Sequence, residues 1–351
     1  MLLFYEDEPS STECDSAEVT SPRLGTNTAH SKEMDSLSQY GFYAFIPYLE
    51  PARSGRTSSS STLSSTPTPS AADPPLTLQN TSSWTYSGPL LVSIASDLPP
   101  SFHKWASVTM SHPSKFMDRL LPLLSFLHSF LLEAGLKHYW LTIRATKPTH
   151  EYDTPRWHVD DEFFSKGFGQ IMRNDDGRTP NRNERGKKTR SWKLATALLG
   201  PPTLFLSDNI SALHILRATK AHERTTHQHE CTSIRCLGCS TYADSVRQSL
   251  ATSLKSHEIS SPRPGELAFF RLGDSEGAVH SEPKCDVDRI FVNVVPGTEG
   301  ELRSLMGRWG MEFPRAWCFG VPGGYVARDE GEGFRKTEGE GECLGVNMGG
   351  H

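Results

Sequence analysis

The chain has 351 residues with 36 basic and 41 acidic side chains, a net charge of −5, and only 36% hydrophobic residues. This mild acidity argues against a general polyanion binder, and a hydrophobic share below the roughly 45% of a wholly globular chain means that the core must come from part of the sequence. The opening MLLFYEDEPS has too short an apolar run and too many early acids for a secretory signal, so the seven cysteines read as thiols of an intracellular protein, neither secreted nor transmembrane.

In chain order, residues 1–88 are rich in Ser, Thr and Pro, most densely from Ala52 to Pro75. That composition predicts a disordered arm, because it cannot bury enough apolar surface to offset its ordering entropy. An aromatic island from Tyr40 to Tyr48 interrupts the arm and could either dock on the folded body or stand alone. Residues 89–326 are left for one sizeable domain. Its first element is a helix in which Phe116, Leu120, Leu123, Leu124, Leu127 and Leu131 share one face and Gly135 marks the end. Pro122 predicts a kink, and with Ser125, His128 and Ser129 it excludes a membrane span.

Beyond the helix the period changes to that of strands, at Tyr139–Arg144, Arg156–Asp160, Lys193–Leu199, Thr203–Leu206, Glu266–Arg271 and Arg289–Val295. Polar insertions at about 163–191 and about 215–262 read as surface loops. Residues 327–351 are a Gly/Glu-rich, disordered tail. Removal of residues before about 90 and after about 328 should therefore leave the fold intact.

Trp157-His158-Val159-Asp160 lies on one of these strands. Alternation places His158 and Asp160 on one face and Trp157 and Val159 on the other. Two imidazoles and one carboxylate make a facial donor set for a divalent metal such as Fe(II). His280, which follows a strand and a glycine-containing turn, is the third candidate; Asp161 next to Asp160 would replace it if the register moved by one.

The run WHVD, LLGPPTLFL, GELAFF, GAVHSEP and DRIFVNV resembles the Fe(II)/2-oxoglutarate dioxygenase superfamily. It looks closest to an uncharacterised domain-of-unknown-function family on the same scaffold. The resemblance spans roughly residues 139–295. It implies a mainly β fold with flanking helices, a double-stranded β-helix of the jelly-roll, cupin-like kind. It further implies iron on His158, Asp160 and His280, with Arg289 pairing to the distal carboxylate of 2-oxoglutarate. Thr196 and Asn293, on neighbouring strands, could orient that cosubstrate. The substrate is not legible. The rival reading is a non-catalytic jelly-roll module that binds a small ligand or partner.

Two further signals lie in the insertions. His227, His229, Cys231, Cys236 and Cys239 could supply four ligands to a structural zinc, although a second well-spaced pair is missing. The stretch from Arg173 to Lys193 holds eight basic residues against Asp175, Asp176 and Glu184. It could track a nucleic-acid backbone, but few aromatics are interleaved for base stacking and a solvated loop explains it as well.

Overall fold

The computed structural model describes residues 41–49, 75–164, 191–228 and 236–321. Two antiparallel sheets face each other and each carries helices on its outer side. The large sheet contains β1 (Tyr43–Pro47), β2 (Ser82–Pro89), β3 (His138–Thr146), β4 (Trp192–Leu199), β7 (Glu266–Arg271), β9 (Arg289–Gly297) and β10 (Arg315–Phe319). Their order is β1-β7-β4-β9-β3-β2-β10. The small sheet is β5 (Leu204–Leu206) between β6 (Ile259–Ser260) and β8 (His280–Ser281), and a bridge between His158 and His280 extends it by one position.

Alternation sorts the side chains of the large sheet. Leu141, Ile143, Leu194, Leu267, Phe269, Ile290, Val292 and Val294 face outward and join the main core with α1 (Pro100–Thr109) and α2 (Pro113–Glu133). The six apolar residues expected on the α2 face are its six buried residues, and Pro122 is accommodated inside the continuous helix. On the inner side Ala195, Ala268 and Phe270 meet Phe205 of β5, which makes the contact between the sheets. The outer side of the small sheet, with Leu206, Val279, Trp157 and Val159, is covered by α3 (Asn209–Thr226) and α4 (Leu237–Ser253). Asp208 caps α3 by accepting from the Ser211 N–H at 3.1 Å. Helix α5 (Glu299–Arg308) opens with a capping box between Thr298 and Glu301.

The structure corrects two boundaries. Residues 1–88 are not wholly an arm, because β1 pairs with β7 and β2 lies between β3 and β10. Trp84 is fully buried, its indole donates to Ser101, and the indole of Trp105 donates to Ser82. These residues were hidden by a serine-rich context in which hydroxyls partner indoles instead of solvating a loop. Tyr43, tilted, and Phe45, edge-on, pack against Phe205 at 4.8 and 5.8 Å between ring centroids, so the aromatic island docks.

The insertion expected at 215–262 is not simply a loop. Much of it is α3 and α4, whose few apolar positions, Leu216, Val246 and Leu250, are buried against the small sheet. The rest of the Ser/Thr/Pro arm, residues 165–190 of the basic insertion and the tail beyond 321 lie outside the described residues. Among the described residues no helix is long and apolar enough to cross a membrane.

Trp84→Ala should lower the unfolding free energy by about 3–5 kcal/mol, as for other fully buried aromatics, measured by urea denaturation. A chain starting at residue 90 should show no cooperative transition, in contrast to the expectation from composition.

Candidate metal centre

His158 and His280 are neighbours across the bridge. The His158 N–H donates to the His280 carbonyl at 3.0 Å, and the His280 N–H donates back to His158 at 2.9 Å. Alternation then turns both imidazoles and Asp160 inward, while Trp157, Val159 and Val279 pack outward under α3 and α4. Asp160 occupies the site and Asp161 is exposed, so the register is the one read from the sequence.

One ligand atom from each of His158, Asp160 and His280 lies within 4.8 Å of the others. His158 Nδ1 donates to the Arg156 carbonyl at 2.6 Å, and His280 Nδ1 donates to the Ala278 carbonyl at 2.9 Å. Because a carbonyl only accepts, both Nδ1 atoms hold protons, which leaves Nε2 of each ring as the atom turned toward Asp160 and available to a metal. These Nε2 atoms lie 3.6 and 3.5 Å from the two Asp160 oxygens. A metal with bonds of about 2.1 Å would need only small side-chain adjustments. Two imidazoles and one carboxylate leave part of the coordination sphere open, which is the donor set of a non-haem Fe(II) centre.

The surroundings hold this arrangement. Lys193 on β4 donates to Asp160 Oδ2 at 2.7 Å. Burial would raise the Asp160 pKa, but the Lys193 ammonium and the two imidazoles outweigh it and hold the carboxyl well below its usual range. Burial would depress His158, yet the bond to Asp160 and its charge raise it. Phe205 and Phe270 flank the His280 ring. The buried Asn209 donates to the Gly277 carbonyl at 3.1 Å and accepts from the Val279 N–H at 2.6 Å, which fixes the approach to His280. Gly273 and Gly277 turn tightly here; a side chain on Gly277 would meet the Gly273 carbonyl at 2.5 Å.

Arg289 begins β9 on its inner face and is 3% exposed. Its Nε donates to the Pro201 carbonyl at 2.9 Å, and its guanidinium lies over Phe291 at 4.6 Å. Gly200, at φ +76°, permits that turn, since a Cβ there would meet the Asp288 carbonyl at 2.6 Å. One guanidinium nitrogen, Nη2, is buried with no partner among the described residues. Burial pushes the pKa of Arg289 down to about 10, against the pull of Glu282. A buried donor with no acceptor is costly, and a ligand carboxylate would satisfy it.

The other expected residues divide. Asn293 is on the inner face, opposite Thr142 and Ala195. Thr196 is not. It pairs with Val292 on the outer face and donates to the Glu266 carbonyl, so it cannot reach the site. The regular alternation from Leu194 to Ala197 places it with Leu194, toward the helices.

The expected zinc cluster gains no support. His227 Nε2 lies 3.2 Å from Ser245 and 3.4 Å from Glu223, and His229 and Cys231 fall outside the described residues. Cys236 and Cys239 begin α4, and the triad is the one metal-capable group among the described residues.

Sequence reasoning missed Lys193, Asn209, Arg144 and Glu282. Arg144 is on the inner face of β3 opposite Phe291. Glu282, whose Oε2 is buried without a partner among the described residues, feels the charges of His158, His280 and Arg156. Its spacing of two from His280 was the available signal.

No protein-family model matches the chain, and no curated protein matches it. Among solved structures, a prolyl-4-hydroxylase from Pseudomonas putida is 12% identical, covering 77% of this chain and 99% of its own, with a TM-score of 0.26. A likeness at that score leaves the assignment to the residues of the site.

The Asp160 pairing is fully present above the ordinary carboxylate pKa of about 4 and is lost as pH falls toward the lower folded value. Melting temperature measured against pH should therefore fall less steeply for Asp160→Asn than for the wild type between about pH 5 and 2. Asn209→Ala, which strands the buried Val279 N–H, should cost about 1–3 kcal/mol in denaturant unfolding.

Proposed function

We propose that the chain is a non-haem Fe(II), 2-oxoglutarate-dependent oxygenase. The observation that carries this reading is the convergence of His158, Asp160 and His280, both imidazoles turned to offer Nε2, together with a buried arginine on the inner face of β9 that has an unused donor. The strand order adds support. The β6-β5-β8 sheet, continued by His158, faces β7-β4-β9-β3, as expected of a double-stranded β-helix.

When bound, the metal, 2-oxoglutarate and O2 would supply the oxidising chemistry that inserts oxygen into a C–H bond. The residues of the chain do the rest. His158, His280 and Asp160 hold the metal on one face. Arg289, fixed by the Pro201 carbonyl and Phe291, offers two parallel donors to the far carboxylate. Phe205, Phe270 and Phe291 limit water around these charges. The substrate is left open. The rival, a non-catalytic jelly-roll module, is favoured by one observation, the Lys193–Asp160 pair, which satisfies the carboxylate without a metal.

Anaerobic titration with Fe(II) and 2-oxoglutarate tests the reading through the metal-to-ligand charge-transfer band. The wild type should develop the band and His280→Ala should not. Arg289→Lys should retain Fe(II) but weaken 2-oxoglutarate roughly ten- to a hundredfold, the worth of a charge-assisted hydrogen bond. Equal affinity in wild type and Arg289→Lys, or no band in the wild type, would exclude the assignment.

A further inference from the structure

Lys193 is the feature of the site that the metal reading leaves unused. It lies on β4, opposite Phe270 of β7 and two residues before Ala195 on the same inner face. Its side chain is 12% exposed and that of Asp160 is 17%. The ammonium lies 2.7 Å from Asp160 Oδ2 and 5.8 Å from the Phe270 ring centroid. Among the described residues Asp160 is its one ion-pair partner. The same oxygen is also 3.5 Å from His280 Nε2. A fixed positive charge thus sits on one oxygen of the carboxylate that a cation would need, while Oδ1 lies 3.6 Å from His158 Nε2.

From this geometry we propose that Lys193 is a built-in competitor of the metal, setting the affinity of the His158–Asp160–His280 site by holding Asp160 in an ion pair. The inference rests on the metal reading above. A divalent ion bound to Asp160 meets Lys193 in one of two ways. If the ammonium stays, two like charges lie a few ångströms apart in a poorly screened site. If it swings away, the ion pair is lost and a largely buried ammonium must find water past the apolar walls. Both lower affinity. The opposite expectation comes from a purely orienting role. There, the hydrogen bond would hold Asp160 ready to coordinate, and its removal would weaken metal binding by about 10–100-fold. The sign of the effect therefore separates the two roles.

Gln retains a donor without the charge, Met retains neither, and Arg retains the charge. The probe is Mn(II) alone, titrated into the full chain and followed by the loss of its free-ion electron paramagnetic resonance signal, with His280→Ala as the non-binding control. Lys193→Met and Lys193→Gln should each bind Mn(II) at least tenfold more tightly than the wild type, and Lys193→Arg within a few-fold of it. The melting temperature provides a second readout that needs no activity. Without metal the Met and Gln variants should melt lower than the wild type, because Asp160 loses its partner, and Mn(II) should raise their melting temperatures by more than it raises that of the wild type.

Weaker Mn(II) binding by Lys193→Gln than by the wild type would overturn the competitor role in favour of the orienting one. Equal binding by all four chains would overturn it while leaving the metal reading in place. Failure of every chain to bind Mn(II) and Fe(II) would overturn the metal reading and this inference with it. Binding by the Met and Gln variants but not by the wild type would be its strongest support.

Discussion

Two hydrogen bonds, from His158 to His280 and back, set the geometry of the centre. They join a short extended segment to β8 and fix their register. Had that pairing slipped by one residue, Trp157 and Val159 would face the gap between the sheets and the two ligands would face α3 and α4. The bridge thus specifies at once which side chains fill the outer core and which are left to do chemistry. The outer core enforces the choice, since Trp157, Val159 and Val279 are buried beneath α3 and α4.

The parts of the fold most legible in the sequence were those with a strong hydrophobic period. The face of α2 matched residue for residue, and β7 matched to its ends. The triad was legible because alternation on four residues gave its direction and an ordered set of motifs gave its third member. Thr196 failed because alternation was not followed along β4, where its neighbours Leu194 and Leu198 already pointed to the helices. Strands β2 and β10 have no apolar run long enough to stand out. Their burial depends on indole and hydroxyl pairs such as Trp84 with Ser101, which exist only after the chain has folded.

The helices α3 and α4 had the opposite problem, a polar sequence that nevertheless buries a thin stripe. Their contribution goes beyond cover. Asn209, at the start of α3, fixes the backbone before His280, and Arg247 of α4 donates to the carbonyls of Glu151 and Thr154 in the loop before His158. Both arms of the centre are thereby tied to one helical pair. Side chains that act by gripping backbone carry no motif, and only the fold reveals them.

The strand order of the large sheet has a consequence for how the chain comes to be folded. In β1-β7-β4-β9-β3-β2-β10, even the neighbours nearest in sequence, β2 and β3, are separated by α1 and α2, and every other adjacent pair joins early to late segments. The sheet cannot be completed in the order of synthesis. Strands β3 and β4 must wait, edges unpaired, for β9 to arrive between them, and loop-closure entropy is spent before most pairings form. During that interval the nascent chain exposes aggregation-prone edges. The pocket between the sheets exists only once β7, β8 and β9, residues 266–297, have been made.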